Sequence, residues 1–201
     1  MKGFLFKAAI SCAVLGLFSS VQSQTQQPPS IVQVPVVHFA KDPSLTLAPL
    51  PDAATPEQIH EYLTLSGEVE SFRERWIAAF DSNRSEGKGA PYWPDAFWEA
   101  LREEMQRTDL VPMFVELYQH GLSKQLMQEV LDTYHANGAD HFKGSPACFK
   151  LGAADAALTD DMDKLKLAET TAVLERVYQV WKPKIKEARA QYLAAHPDFK
   201  D

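Results

Sequence analysis

The sequence predicts an all-α fold: an irregular bundle of about five to six helices, closed by a long C-terminal helix that a proline kinks. Two observations carry this. From residue 55 onward, apolar side chains recur three and four positions apart in segment after segment, the spacing of an amphipathic helix. Between the segments stand helix stop and start signals: Ser66-Gly67, Gly121-Leu122-Ser123 and Asn137-Gly138.

Ahead of the bundle, residues 1–23 read as an export signal. Lys2 and Lys7 give a positive start, Ala8 to Phe18 is apolar, and Val21 and Ser23 form a small-residue cleavage site before Gln24. The apolar run is shorter than the roughly 20 residues needed to span a bilayer, so no transmembrane segment is expected after cleavage. Cys12 lies inside that run rather than at its end, which argues against a lipid-bearing cysteine. The mature chain is then periplasmic or secreted. Losing two lysines leaves it more acidic than the −7 of the whole chain, which disfavours nucleic acid, because phosphate binding needs a basic patch. One cysteine, Cys148, remains, so no intramolecular disulfide can form, and an apolar core must supply the stability. Its neighbours Ala147 and Phe149 favour burial over a free or intermolecularly paired thiol.

Residues 24–54 hold six of the thirteen prolines and predict an extended arm or linker, draped on the domain or tethering it. Ile31 to Phe39 is β-branched enough for one edge strand, although Pro35 weakens it. The helical domain is residues 55–201. Thr55-Pro56-Glu57-Gln58 is a capping box with proline at the first helical position, and Ile59, Tyr62 and Leu63 give the first stripe. A second helix over about 68–81 buries Val69, Phe72, Trp76, Ile77 and Phe80 and turns Glu70, Arg73 and Glu74 to solvent. Residues 83–90 read as an exposed loop, with a short Asn83-Arg84-Ser85 glycosylation pattern. Pro94 opens a third helix with Phe97, Trp98, Leu101 and Met105 inward.

The central stretch from Thr108 to Phe142 predicts two helices joined at Gly121-Leu122-Ser123. Leu110, Phe114, Leu117 and Tyr118 form one stripe; Leu126, Met127, Val130, Leu131 and Tyr134 form the other. So tight a joint predicts a hairpin with the two stripes face to face. Residues 139–158 read as mixed, broken by Gly144, Pro146 and Gly152. The last helix starts at Thr159, carries Met162, Leu165, Val173, Val177, Val180 and Trp181 on its core face, and is kinked or ended by Pro183.

Leu63-Thr64-Leu65-Ser66-Gly67, Leu110-Val111-Pro112-Met113-Phe114, Leu122-Ser123-Lys124-Gln125-Leu126 and Val130-Leu131-Asp132-Thr133-Tyr134 together resemble the DUF2059 family of exported bacterial helical proteins of unknown function. The likeness covers about residues 56–142. It implies a small all-helical exported domain and carries no catalytic residues. The chain departs from the family pattern after Tyr134, where His135-Ala136-Asn137-Gly138 replaces a Ser-Pro turn.

The motifs for chemistry are incomplete. His60-Glu61 starts a zinc-protease helix, but Thr64 stands where the second histidine belongs. Asp160, Asp161 and Asp163 lack the glycine and distal glutamate of a calcium loop. No nucleophile elbow is present. No catalytic residue, metal ligand or cofactor site is therefore assigned. Two candidate regions remain. Trp76, Phe80, Trp98, Phe114, Tyr134 and Trp181 either fill the core or line an apolar groove for a lipid, an aromatic ligand or a partner helix. His120, Glu129, His135 and His141 either cap helix ends or, if distant residues converge, form a polar site. The expected function is a non-catalytic binding or interaction domain of the bacterial envelope, whose partner is an envelope protein or an apolar ligand. The alternatives are a hydrolase-like enzyme with a site assembled from distant His and acidic residues, and a purely structural envelope protein. From Lys164 onward eight basic residues face five acidic ones on an otherwise acidic body, which suggests homo-oligomerisation by charge complementarity.

Overall fold

The computed structural model describes residues 46–199, apart from Lys88 and the side chain of Asn137. The export signal, Cys12 and the Ile31–Phe39 segment lie outside the described residues. Within them are seven helices: α1 (Pro56–Ser66), α2 (Glu68–Ser85), α3 (Asp95–Arg107), α4 (Val111–Gly121), α5 (Lys124–Phe142), α6 (Pro146–Ala157) and α7 (Thr159–Ala195). The all-α class holds, and the long C-terminal helix is present with Pro183 inside it.

α1 begins as its sequence dictates. Thr55 Oγ1 accepts the Gln58 N–H at 3.3 Å, and Gln58 Oε1 accepts the Thr55 N–H at 3.1 Å. Gly67, at φ 66°, ends α1 by donating its N–H to Leu63 O and starts α2 at once; the left-handed conformation there suits glycine. α2 runs past the predicted 81 to Ser85, replacing the first turn of the expected loop. Arg84 explains the extension, because it ties that last turn to α3 through Asp95 at 2.9 Å and Glu99 at 2.6 Å.

The expected hairpin is where fold and sequence part. α4 and α5 do not pack face to face; α1 receives both, and α5 also receives α6. The joint is held open by Leu122, which is extended (φ −117°, ψ 129°), and by an antiparallel bridge between Ala53 and Ser123. The end of the N-terminal arm lies along this joint. Leu47 N–H donates to Glu116 Oε1 at 2.7 Å, Leu50 N–H to Gln119 O at 2.9 Å, Ala54 N–H to Leu122 O at 2.8 Å, and Lys124 N–H to Asp52 O at 2.7 Å. Leu122 and Met127 are both fully buried beneath it.

Gly121 also plays a different part from the one expected. It is the last residue of α4 rather than a left-handed stop. A Cβ there would overlap the side chain of Leu158, which the α6–α7 junction presses against it. Gly121→Ala gains helix propensity of about 1 kcal/mol, yet overpacking a buried contact costs about 1–3 kcal/mol. The expected net result is a loss of about 1 kcal/mol by urea unfolding. In a Leu158→Ala background the glycine substitution should instead stabilise by up to about 1 kcal/mol, and an unchanged penalty in that background would contradict the contact.

Residues 146–157, read as broken, form α6. Ser145 Oγ caps it by accepting the Cys148 N–H at 3.1 Å, and Pro146 takes the first helical position, where its missing N–H costs nothing. Gly152 is simply carried inside. Gly138 (φ 69°, ψ 174°) does interrupt α5, after which a short turn continues to Phe142. Cys148 is buried, as its neighbours suggested.

α7 continues through Pro183 to Ala195, with Pro183 on an exposed face where the freed carbonyl meets water. It packs along α3, where Trp181 meets Phe97, and its buried seam follows Val173, Val177, Trp181 and Ile185, stepping by four and so turning around the helix. Val180, expected in the core, falls off that turning seam and is 77% exposed.

Candidate functional site

The six aromatic candidates separate by depth. Trp76, Phe114 and Tyr134 are core residues, whereas Phe80, Trp98 and Trp181 pack on its margin. Trp76 donates its indole N–H to Thr170 Oγ1 at 3.0 Å, tying α2 to α7. Phe114 sits edge-on to Phe72 with ring centres 5.4 Å apart, and Tyr134 stacks on Phe142 at 4.2 Å. Phe80, Trp98, Trp93, Phe97 and Trp181 form a chain of ring contacts between α2, α3 and α7, each step 5.0–6.1 Å. Trp181 also carries Lys184 over its face at 4.6 Å. These rings occupy one another's space as packing.

The polar candidates are held apart on different partners. His120 Nδ1 lies 2.7 Å from Ala48 O, pinning the arm, and its Nε2 lies 3.6 Å from Asp161 of α7. His135 Nε2 meets Glu61 of α1 at 2.8 Å. Glu129 receives Lys150 of α6 at 2.7 Å on both oxygens. Glu129 and His135 are six residues apart on one helix, hence about 120° apart around it. His141 is exposed in the last turn of α5. Among the described residues, no group of three or more His, Cys, Asp or Glu is placed to hold a metal ion.

Two other features stand out. One is on the surface: Gln125, Gln128, Glu129, Asp132, Thr133 and Ala136 line a shallow, solvent-open depression of about 500 Å³ on α5. Their spacing by three and four makes a single stripe along the helix. Gln128 links the stripe inward by accepting from Gln58 Nε2 at 3.0 Å and along it by donating to Asp132 Oδ1 at 2.8 Å.

The second is internal, and sequence reading missed it. The buried Tyr62 of α1 and Tyr118 of α4 meet the half-buried Glu68 of α2, and the half-buried Asp155 of α6 feels the Glu68 charge. Tyr118 Oη donates to Glu68 Oε2 at 2.7 Å, and the Tyr62 and Tyr118 rings stand edge to face at 5.8 Å. Burial raises the Glu68 carboxyl, while the Tyr118 and Tyr62 hydroxyls and, more weakly, Arg75 pull it down. Asp155 is pushed up to about 7, by burial first and then by the Glu68 charge. Both tyrosine hydroxyls are pushed well above their ordinary range, chiefly by burial and next by Glu68. The signal was present in α6: Cys148, Leu151 and Leu158 are its buried stripe, and Asp155 falls on that stripe, four residues after Leu151 and three before Leu158.

No family model matches the chain, and neither a curated protein nor a solved structure matches it.

Proposed function

We propose that the chain is a non-catalytic interaction domain of the bacterial envelope, exported by its N-terminal signal, and that it engages a protein partner through the outer face of α5. The observation that carries this reading is the stripe of Gln125, Gln128, Asp132 and Thr133, a row of hydrogen-bonding side chains on one helix face. Its acceptors suit a partner segment bringing backbone amides or basic side chains, because complementary polar groups set register and specificity. Two of the polar candidates are engaged in ion pairs, Glu129 with Lys150 and His135 with Glu61. An apolar ligand has less support, since the aromatic candidates pack on one another. Membership of the DUF2059 family belongs to the same proposal, supported by motifs that fall at the end of α1, the start of α4 and along α5. The mildly basic C-terminal half of α7 on an acidic body supports self-association as an additional contact.

The test compares the mature chain with a Gln125→Arg, Asp132→Arg double variant in pull-downs from the native envelope. Both positions are exposed, so thermal stability is expected to stay within about 0.5 kcal/mol. The expected result is a protein retained by the unmodified chain and lost at least about tenfold by the variant, which corresponds to about 1.4 kcal/mol. Equal retention of the same species by both would remove α5 as the interface.

A further inference from the structure

The C-terminal half of α7 lies on the bundle by one side only. Trp181 meets Phe97 at 6.1 Å, Ile185 is buried, and Tyr192 meets Tyr92 at 6.2 Å. The opposite side carries Val180, Pro183, Glu187, Ala190 and Ala194, all exposed and spaced by three and four, so they form one outward stripe. At about 100° per residue, Lys184 falls on one flank of that stripe, and Lys182 and Lys186 fall on the other. All three lysines are exposed. Among the described residues none of them has a carboxylate partner, and Lys184 lies over the Trp181 ring instead. Between residues 180 and 190 four basic residues stand against a single acid, Glu187, which accepts from Gln191 at 3.2 Å.

A helix with cations on both flanks of an outward face suits a flat, negatively charged surface better than a single carboxylate. A second copy of the chain is the weaker complement, because its acids are largely engaged. All four acids of α3 are paired, Asp95 and Glu99 with Arg84, Glu103 with Arg107 and Glu104 with Arg176. On α1 and α5, Glu61 holds His135 and Glu129 holds Lys150. A plane of lipid phosphates, in contrast, meets both flanks at once.

We propose that this face of α7 rests on a bilayer surface rich in anionic phospholipid, with Lys182, Lys184 and Lys186 bound to headgroup phosphates. The lysine stems reach past the helix to the phosphates, and Val180, Pro183 and Ala190 sit at the headgroup level. Among the described residues no helix is long and apolar enough to cross a membrane, and this contact asks for none. The chain's own charge sets the orientation. Asp160 and Asp163 stand at the other end of α7, roughly 30 Å along its axis from Lys182. That is several times the Debye length of about 8 Å at physiological salt, so the acidic end does not cancel the attraction. The α5 stripe lies on another helix, and this contact does not depend on it.

Co-sedimentation of the mature chain tests this with two kinds of vesicle: phosphatidylglycerol and phosphatidylcholine in equal parts, and phosphatidylcholine alone. The chain is expected to bind the anionic vesicles at about 0.01 M salt and to leave them at about 1 M, as the Debye length falls from about 30 Å to about 3 Å. The neutral vesicles should not retain it. Lys182→Glu with Lys186→Glu is expected to lower partitioning at least about hundredfold, at roughly fivefold for each basic residue removed and as much again for each acid introduced. The Gln125→Arg, Asp132→Arg variant should bind at least as well as the unmodified chain, which separates this face from α5. No binding to anionic vesicles at low salt, equal binding to both kinds, or equal binding of the reversed variant would overturn the proposal. So would a chain that ignores vesicles and self-associates through the same lysines in light scattering. Should the reversed variant fail to fold, amine labelling of the unmodified chain decides. Anionic vesicles should shield Lys182, Lys184 and Lys186 and leave Lys124 and Lys143 reactive, and uniform shielding overturns the proposal.

Discussion

Phe114→Ala is expected to be the most damaging single truncation among the aromatic residues considered, costing about 3–5 kcal/mol. The ring is fully buried, edge-on to Phe72 at 5.4 Å and tilted against Tyr118 at 6.0 Å. Its loss leaves a cavity at the meeting of α2 and α4 that the surrounding helices cannot close, since α4 is also fixed against α1 and, through the arm, against residues 47–54. Total stability of domains of this size is about 5–15 kcal/mol, so the variant should unfold at much lower urea or lose its cooperative melt. Phe114→Leu, which keeps much of the volume, should recover more than half of the loss. A Phe114→Ala chain with an unchanged midpoint would mean that the ring is not part of the core.

Arg73→Ala is expected to cost about 2–3 kcal/mol, a large effect for a single charged residue. Its Nη1 donates to the carbonyls of Met105 at 3.1 Å, Gln106 at 3.1 Å and Thr108 at 2.7 Å, the unpaired oxygens at the end of α3. A positive charge at the C-terminal end of a helix also complements the helix dipole. Arg176 of α7 arrives at the same corner, donating to Glu104 Oε1 at 2.8 Å. Arg73→Lys keeps the charge but loses the second nitrogen, Nε, that bonds Glu70 at 3.3 Å and fixes the direction of the head group, so it should recover only part of the loss. Urea unfolding of the three proteins, with hydrogen exchange at Thr108 and Leu110, measures this. A change below about 0.5 kcal/mol would show that these bonds merely replace equivalent bonds to water.

Arg73 also shows what sequence reading can and cannot reach. The sequence reading turns it to solvent with Glu70 and Glu74, although its place four residues after Val69 and three before Trp76 sets it beside the buried stripe of α2. The side chain instead lies along the surface to α3 and is only 16% exposed, because a long apolar stem can reach one way while its head bonds another. Residues whose role is local were legible: the Thr55 capping box, the Gly67 stop, the Ser123 cap and the burial of Cys148 all follow from neighbours within a few positions. Which stripe meets which was not. Leu117 and Leu131 each call for a buried partner, but nothing within α4 or α5 says that the partner is α1 rather than each other. The segment that props the joint open comes from the arm, about 70 residues earlier in the chain. Asp155 was missed for a related reason. Gly144, Pro146 and Gly152 hid the helix, and without the helix there was no stripe for an acid to interrupt.

The docking of the arm sets the order in which the chain would yield to a pull from its N-terminal side. Tension entering at residue 46 meets the Leu47 bond to Glu116 first, then the Ala48 contact with His120, then Leu50 on Gln119. Only after those have parted does load reach Asp52, Ala54 and finally the capped start of α1. Those outer contacts therefore part before any helix is loaded, and a pull on the arm peels it away ahead of the bundle.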